Sequence, residues 1–409
     1  MCKLIKVRQK FNDDKLYDVK SSLIDELNKS GVQISKGQRI AIATGSRGIA
    51  NIFEIIKSIV EFVKAKGGVP FIIPAMGSHG GANAQGQLEV LESFNITEKS
   101  LGVPILSSMA VIELPQGESR AKVFMDEHAY KSDGVILVNR IKPHTDYHGA
   151  FESGLVKMSV IGLGKHQGAL EIHKYGLKGM LEYIPEVARE ILKSNKILLG
   201  VGIVENSKDE TSHIKAIKPE NLFDEEPKLL KIAVQSMPWL PVNTIDILMV
   251  DELGKDMSGT GLDPNITGRM KIRDFPEPKI PDVKYIMITD LTKASHGNAV
   301  GVGFADVITK GLYEKINFAA MYENVITSTF LERAKIPLIA DTPKRAFEIL
   351  KRVSLSLKSQ GRRIIRIKNT LHIDELWVSD EIYTEIRDRV VPVSDFINQF
   401  EANGSLITF

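Results

Sequence analysis

The chain has a single cysteine, Cys2, among its 409 residues. One thiol cannot close an intrachain disulfide, and no Cys-x-x-Cys exists to hold zinc or to run a redox couple. Any metal must then be held by His, Asp or Glu, or by sulfur that a cofactor brings. Long apolar runs are also missing, and none approaches the ~20 residues that a bilayer-spanning helix needs. Charge of one sign is missing too. The 53 basic residues nearly match the 51 acidic ones, leaving a net charge of +2. Nucleic-acid and polyanion binders carry concentrated positive charge, so no such partner is expected. The opening stretch MCKLIKVRQKFNDDK is charged throughout and lacks the apolar centre of a signal peptide. Together these absences predict a cytoplasmic protein with neither a nucleic-acid nor a membrane partner.

What is present is an ordinary globular composition, with 43% hydrophobic and 25% charged residues. The length suits two or three domains. Short apolar runs alternate with stretches of helical spacing. Strands are predicted at 39–44, 69–73, 109–114, 120–125, 134–139 and 197–204. Helices are predicted at 49–66, 83–94 and 171–193. A linker with two prolines, Met237-Pro-Trp-Leu-Pro-Val-Asn, follows. Beyond it the pattern restarts, with strands at 245–250, 285–289 and 364–367 and helices at 344–357 and 380–388. The reading is α/β: two α/β domains with mostly parallel sheets, residues 1–240 and 243–409, with the active site in the inter-domain cleft. The last residues are expected to pack back on the first domain.

In parallel sheets, ligands bind beyond the carboxyl ends of the strands. Three polar loops follow strands in the first half. Gly45-Ser-Arg-Gly48 would offer backbone N–H groups and the Arg47 guanidinium to an anion. Ser78-His-Gly-Gly81 places His79 where glycines let a ligand approach. The third loop opens residues 138–175, which hold His144, His148, His166 and His173, four of the nine histidines. Imidazole exchanges a proton near neutrality and also ligates metals. Lys157 lies in the apolar run Gly154-Leu-Val-Lys-Met-Ser-Val-Ile, where a desolvated amine can act as a nucleophile or covalent anchor, or simply snorkel. His173 follows sixteen residues later, on the first turns of a helix. Gly162-Leu-Gly-Lys-His-Gln-Gly168 departs from the dinucleotide fingerprint and reads as a turn with Lys165 and His166 exposed. In the second half, Lys255, Asp256 and Ser258 share one polar loop after a strand, and His296 lies on another.

Taken as an ordered set, these loops resemble the lactate racemase family that uses a nickel-pincer nucleotide. The matching pieces are Thr44-Gly-Ser-Arg47, Gly77-Ser-His79, Pro143-His144, Ser153-Gly154 with Lys157 close behind, and His173. The resemblance implies a racemase or epimerase that inverts the C2 centre of a 2-hydroxy acid by reversible hydride transfer. The cofactor it implies is nickel bound to pyridinium-3,5-bisthiocarboxylic acid mononucleotide. In that scheme Lys157 forms a thioamide to the cofactor and His173 ligates nickel. Gly45, Ser46, Arg47, Gly48 and Ser153 help to bind the nucleotide. His79 and His144 are the acid/base pair, with His148 able to take the place of His144. Lys255, Asp256, Ser258 and His296 are the expected substrate contacts. Cofactor-synthesis enzymes are the expected protein partners. Thr44 departs from the family pattern, which has an acidic residue there. Two other functions stay open on the residues themselves. One is a hydrolase or lyase with zinc on His144, His148 and His173. The other is a nucleotide- or anion-binding module built on the Arg47 loop.

Overall fold

The computed structural model describes residues 2–46 and 48–409. The chain divides into two compact units, Asn12–Met237 and a second made of Met1–Phe11 with Pro238–Phe409. The first strand, β1 (Lys3–Gln9), thus folds with the C-terminal half.

The first unit contains β2 (Arg39–Thr44), β3 (Val69–Pro74), β4 (Val111–Leu114), β5 (Val123–Asp126), β6 (Gly134–Arg140), β7 (Ile197–Glu205) and β8 (Thr211–Ile217). Its sheet has the order β3-β2-β6-β7-β8. The first four strands are parallel and β8 is antiparallel to β7. The runs in β2 and β6 are apolar at nearly every position because helices cover both faces. Side-chain alternation sends Ala41, Ala43, Val135 and Leu137 into one core and Ile40, Ile42, Ile136 and Val138 into the other. The helix Ile52–Ala65 lays Ile55, Ile56, Ile59 and Val63 on the second of these cores. The strands β4 and β5 form a separate antiparallel pair.

The expected helix 171–193 is broken. One helix, Lys165–His173, ends just before Gly176, which takes a left-handed φ of 57°. Short and π-type turns then lead into a second helix, Ile184–Lys193. Continuous apolar spacing concealed the break, because both pieces bury the same stripe.

The second unit contains β9 (Thr244–Leu253), β10 (Asp282–Leu291), β11 (Val307–Thr309), β12 (Leu338–Ala340), β13 (Ile364–Ile367), β14 (Glu375–Val378), β15 (Val390–Pro392) and β16 (Ile397–Asn398). The sheet runs β12-β11-β10-β9-β13-β14-β1-β15, with β16 also on β1. From β12 to β13 the strands are parallel; β14, β1 and β15 add an antiparallel flank. The fold is therefore α/β with mostly parallel sheets.

Two boundary expectations change. Residues 1–11 belong to the second unit, because Leu4, Ile5 and Val7 of β1 are buried between β14 and β15. The final residues also pack on the second unit. Buried Arg366 makes a bidentate pair with Asp251 at 2.7 and 2.9 Å and donates to Gln399 Oε1 and the Ile407 carbonyl. That places Leu406, Ile407 and Phe409 against a core holding Cys2 and Trp377. Burial there pushes the Cys2 thiol up to about 12, so it supplies no thiolate near neutrality.

Candidate active site

Parallel β3, β2 and β6 send their following loops off the same edge of the first sheet. The β2 and β6 loops meet closely. A Cβ on Gly45 would stand 3.1 Å from Asn139 Oδ1, and Asn139 Nδ2 donates to the Gly154 carbonyl at 2.9 Å. The β3 loop is pressed onto the segment after Lys157. Gly77 has φ 60°, and a Cβ there would lie 2.8 Å from Ile161 Cγ2, so only glycine fits. From this loop His79 meets the β2 loop directly, its Nδ1 hydrogen-bonded to the Ser46 hydroxyl. Arg47 lies outside the described residues. The helix after the β2 loop starts only at Ile52, beyond Gly48. Its approach already holds an anion: the Ala50 N–H donates to Glu205 Oε1 at 2.7 Å, and the other oxygen of Glu205 pairs with Arg140.

The β6 loop is closed at its base by Lys142 and Ser153, which exchange backbone bonds of 2.9 and 3.2 Å. Inside it, Glu152 is 4% exposed. Its carboxylate accepts the His144 N–H at 2.6 Å, the Gly149 N–H at 3.1 Å, and His148 Nδ1 at 3.2 and 3.3 Å. His144 Nδ1 instead accepts the Asp146 N–H at 3.0 Å. The His144 ring stacks on buried Tyr147, with centroids 4.4 Å apart. The Lys157 ammonium lies 5.3 Å from the centroid of that same tyrosine ring. His144, Tyr147 and Lys157 are thereby brought together.

Lys157 is half-buried near the start of a helical run that opens at Leu155. The first two N–H groups of that run, on Leu155 and Val156, donate to Glu226 Oε2 at 2.8 and 2.9 Å. Burial raises the Glu226 carboxyl to about 7, although the two N–H bonds pull the other way. His173 is the last residue of the helix Lys165–His173, not on the first turns of a helix as its sequence context suggested. Its imidazole is held below the usual histidine range, first by surrounding protein and then by the charge of Lys157, while Asp146 opposes them. The ring keeps open surface, so the desolvation comes from walls around it rather than from enclosure. A neutral imidazole beside an amine is the result.

Lys165 is not exposed, as the turn reading had it, but completely buried with φ 53°. It pairs with buried Asp126 at 2.9 Å and donates to the Pro74 carbonyl at the end of β3. That ties the chain just before the His79 loop. His166 is exposed.

In the second unit, Lys255 and Asp256 belong to one polar cluster. Lys255 Nζ donates to the Gly259 carbonyl and to Asn324 Oδ1, both at 2.8 Å. Asp256 Oδ1 accepts from the Thr292 hydroxyl at 2.5 Å. Ser295 bonds both the Thr292 hydroxyl and the Lys255 N–H. Ser258 is hydrogen-bonded to Thr260 two residues on. His296 is exposed, with a left-handed φ of 47°.

Sequence reasoning missed Glu152, Tyr147, Glu226 and Asn324. Only Glu152 left a local signal, as the one carboxylate four residues after His148 in a histidine-rich loop. The grouping of His144, His148 and His173 as a zinc site is not found: among the described residues no three His, Cys, Asp or Glu side chains are arranged to hold a metal ion. Likewise, no described helix is long and apolar enough to cross a membrane.

Among solved structures, the chain is similar to the lactate racemase apoprotein from Thermoanaerobacterium thermosaccharolyticum. Sequence identity is 14% and the TM-score 0.51, over 90% of this chain and 98% of that one. The two share a fold. A Thermotoga maritima protein solved by a structural-genomics consortium also matches, at 14% identity and a TM-score of 0.46, covering 68% of this chain and 72% of that chain. No protein-family model and no curated protein matches the chain.

Proposed function

We propose that the protein is a racemase or epimerase acting at C2 of a 2-hydroxy acid, with a nickel-pincer nucleotide as cofactor. The observation that carries this reading is the linked set Tyr147, Lys157 and His173, beside histidine loops that leave one sheet edge, in a fold like that of a lactate racemase. The donor chemistry fits the cofactor. The Lys157 amine stands beside the neutral imidazole of His173, and the chain's only thiol is protonated and buried in the other unit. A metal ion that arrives with its own sulfur donors needs only those two anchors. Lys157 would hold the cofactor through a thioamide and His173 would ligate nickel. Gly45, Ser46, Arg47, Gly48 and Ser153 would bind the nucleotide. When bound, the group supplies a reversible acceptor for the C2 hydrogen and its electron pair, so that the substrate passes through a planar 2-oxo acid.

The protein's own residues manage the proton. The α-hydrogen of a carboxylate is too weakly acidic for an imidazole to remove alone. The hydroxyl proton is within its range. His79 takes that proton from one enantiomer, and a histidine of the β6 loop takes it from the other. Each contributes about 10²–10⁴-fold. Ser46 orients His79 through Nδ1. Lys255, Asp256, Ser258 and His296 would contact the substrate, and Lys255 supplies positive charge for its carboxylate.

The test is co-expression with cofactor-synthesis enzymes, followed by mass analysis of Lys157 and racemisation assays over a panel of 2-hydroxy acids. A mass increase on Lys157 and interconversion of at least one pair of enantiomers are expected. An unmodified lysine together with full activity would overturn the reading.

A further inference from the structure

His144 and His148 both lie in the β6 loop, and the protein holds them in opposite ways. His144 Nδ1 accepts a backbone N–H, from Asp146 at 3.0 Å. An Nδ1 that accepts carries no proton, so the neutral ring is protonated at Nε2. His148 Nδ1 faces both oxygens of Glu152, at 3.2 and 3.3 Å. A carboxylate only accepts, so His148 Nδ1 must carry the proton, and its Nε2 becomes the proton-accepting atom. Glu152 is itself fixed. It is almost fully buried and also accepts the N–H groups of His144 and Gly149. These two bonds keep it aimed at the His148 ring.

We infer that Glu152 is a positioning residue that makes His148, rather than His144, the proton-accepting imidazole of the β6 loop. A buried carboxylate on Nδ1 sets the tautomer, orients the ring and stabilises the imidazolium that forms when Nε2 takes a proton. His144, stacked on Tyr147 and protonated at Nε2, is a hydrogen-bond donor. The catalytic consequence rests on the racemase reading; the tautomer assignment does not.

The experiment is ¹⁵N imidazole NMR of the cofactor-free protein at pH 8, with His144 and His148 assigned by the resonances lost in H144Q and H148Q. The expected result is an Nδ1–H tautomer at His148 and an Nε2–H tautomer at His144. In Glu152→Gln the amide NH₂ can donate to His148 Nδ1, and the His148 tautomer shifts toward Nε2–H. An Nε2–H tautomer at His148 in the unaltered protein would overturn the inference, and so would an E152Q spectrum with the His148 tautomer unchanged. In cofactor-loaded protein, E152Q lowers kcat about 10²-fold with little change in KM, and Glu152→Asp recovers part of the loss. A loss confined to KM would also overturn it. If the loaded protein racemises nothing, the proposed function fails while the tautomer result stands.

Discussion

The loops on the rim of the first sheet and the polar loops of the second unit are both rich in small and hydrogen-bonding residues, yet they are held differently. In the first unit, buried ionisable groups fix the candidate site segments. Glu152 grips the histidine loop, Glu226 caps the start of the Lys157 helix, and the Lys165–Asp126 pair ties the strand end before His79. In the second unit, Lys255 and Asp256 are tethered by neutral partners: Asn324, a backbone carbonyl, and the hydroxyls of Thr292 and Ser295. Buried carboxylates give rigid placement at a desolvation cost. Neutral hydrogen bonds on a half-exposed loop leave side chains able to reorient around a ligand. On the proposed function, the first kind of support would suit groups that do chemistry and the second would suit groups that recognise a substrate.

The comparison can be broken most severely at Lys157. On the proposed function, Lys157→Ala would remove the covalent anchor, and loss of both cofactor attachment and racemisation is expected, read by intact mass and by chiral assay. Next come the imidazoles. His79→Ala or His148→Ala in loaded protein is expected to lower kcat about 10²–10⁴-fold while the mass increase on Lys157 persists. Retained kcat in both variants would remove the acid/base pair.

Glu226 sharpens the contrast through pH. Its folded carboxyl sits at about 7 against an unfolded value of 4.5. The folded state therefore holds the proton more tightly, and stability from this group is fully present below about 4.5 and is lost as pH rises through 7. The swing is on the order of 3 kcal/mol. Glu226→Gln keeps a carbonyl oxygen for Leu155 and Val156 and removes the titration. Urea unfolding should show the unaltered protein losing stability between about pH 4.5 and 7 relative to E226Q, with no further loss above that. Equal pH dependence in the two proteins would refute this role. The smallest effect belongs to the second unit. Asn324→Ala releases one tether of Lys255, worth about 1 kcal/mol, and a several-fold rise in KM with kcat nearly unchanged is expected.

Much of the fold was readable in one dimension. The apolar runs of β2, β6 and β13 are long enough and sharply enough bounded to be found by pattern alone. Parallel order then followed from strand–loop–helix repetition, which is why the rim loops could be grouped. Other features were not readable. Lys165 looked like a surface turn because lysine between glycines normally is one; its partner Asp126 is distant in sequence and sits on another element. The helix break at Gly176 was hidden because both pieces bury one stripe. Residues 3–9 carry no strand in the sequence reading and fall there within the first domain, because a strand's pairing partner is not encoded near the strand.

By itself, the sequence determined the residue types and their order along the chain: imidazoles, one amine in an apolar run, glycines at strand ends, and a single cysteine. These are local properties, set by composition and by the two short periodicities of helix and strand. Tertiary structure alone decided which carboxylate serves which group. Glu226 caps the Lys157 helix from some seventy residues away, and Glu152 chooses between two histidines in one loop. Burial sets those choices. It makes an unpaired charge costly, and which charges are buried together depends on how separate elements pack.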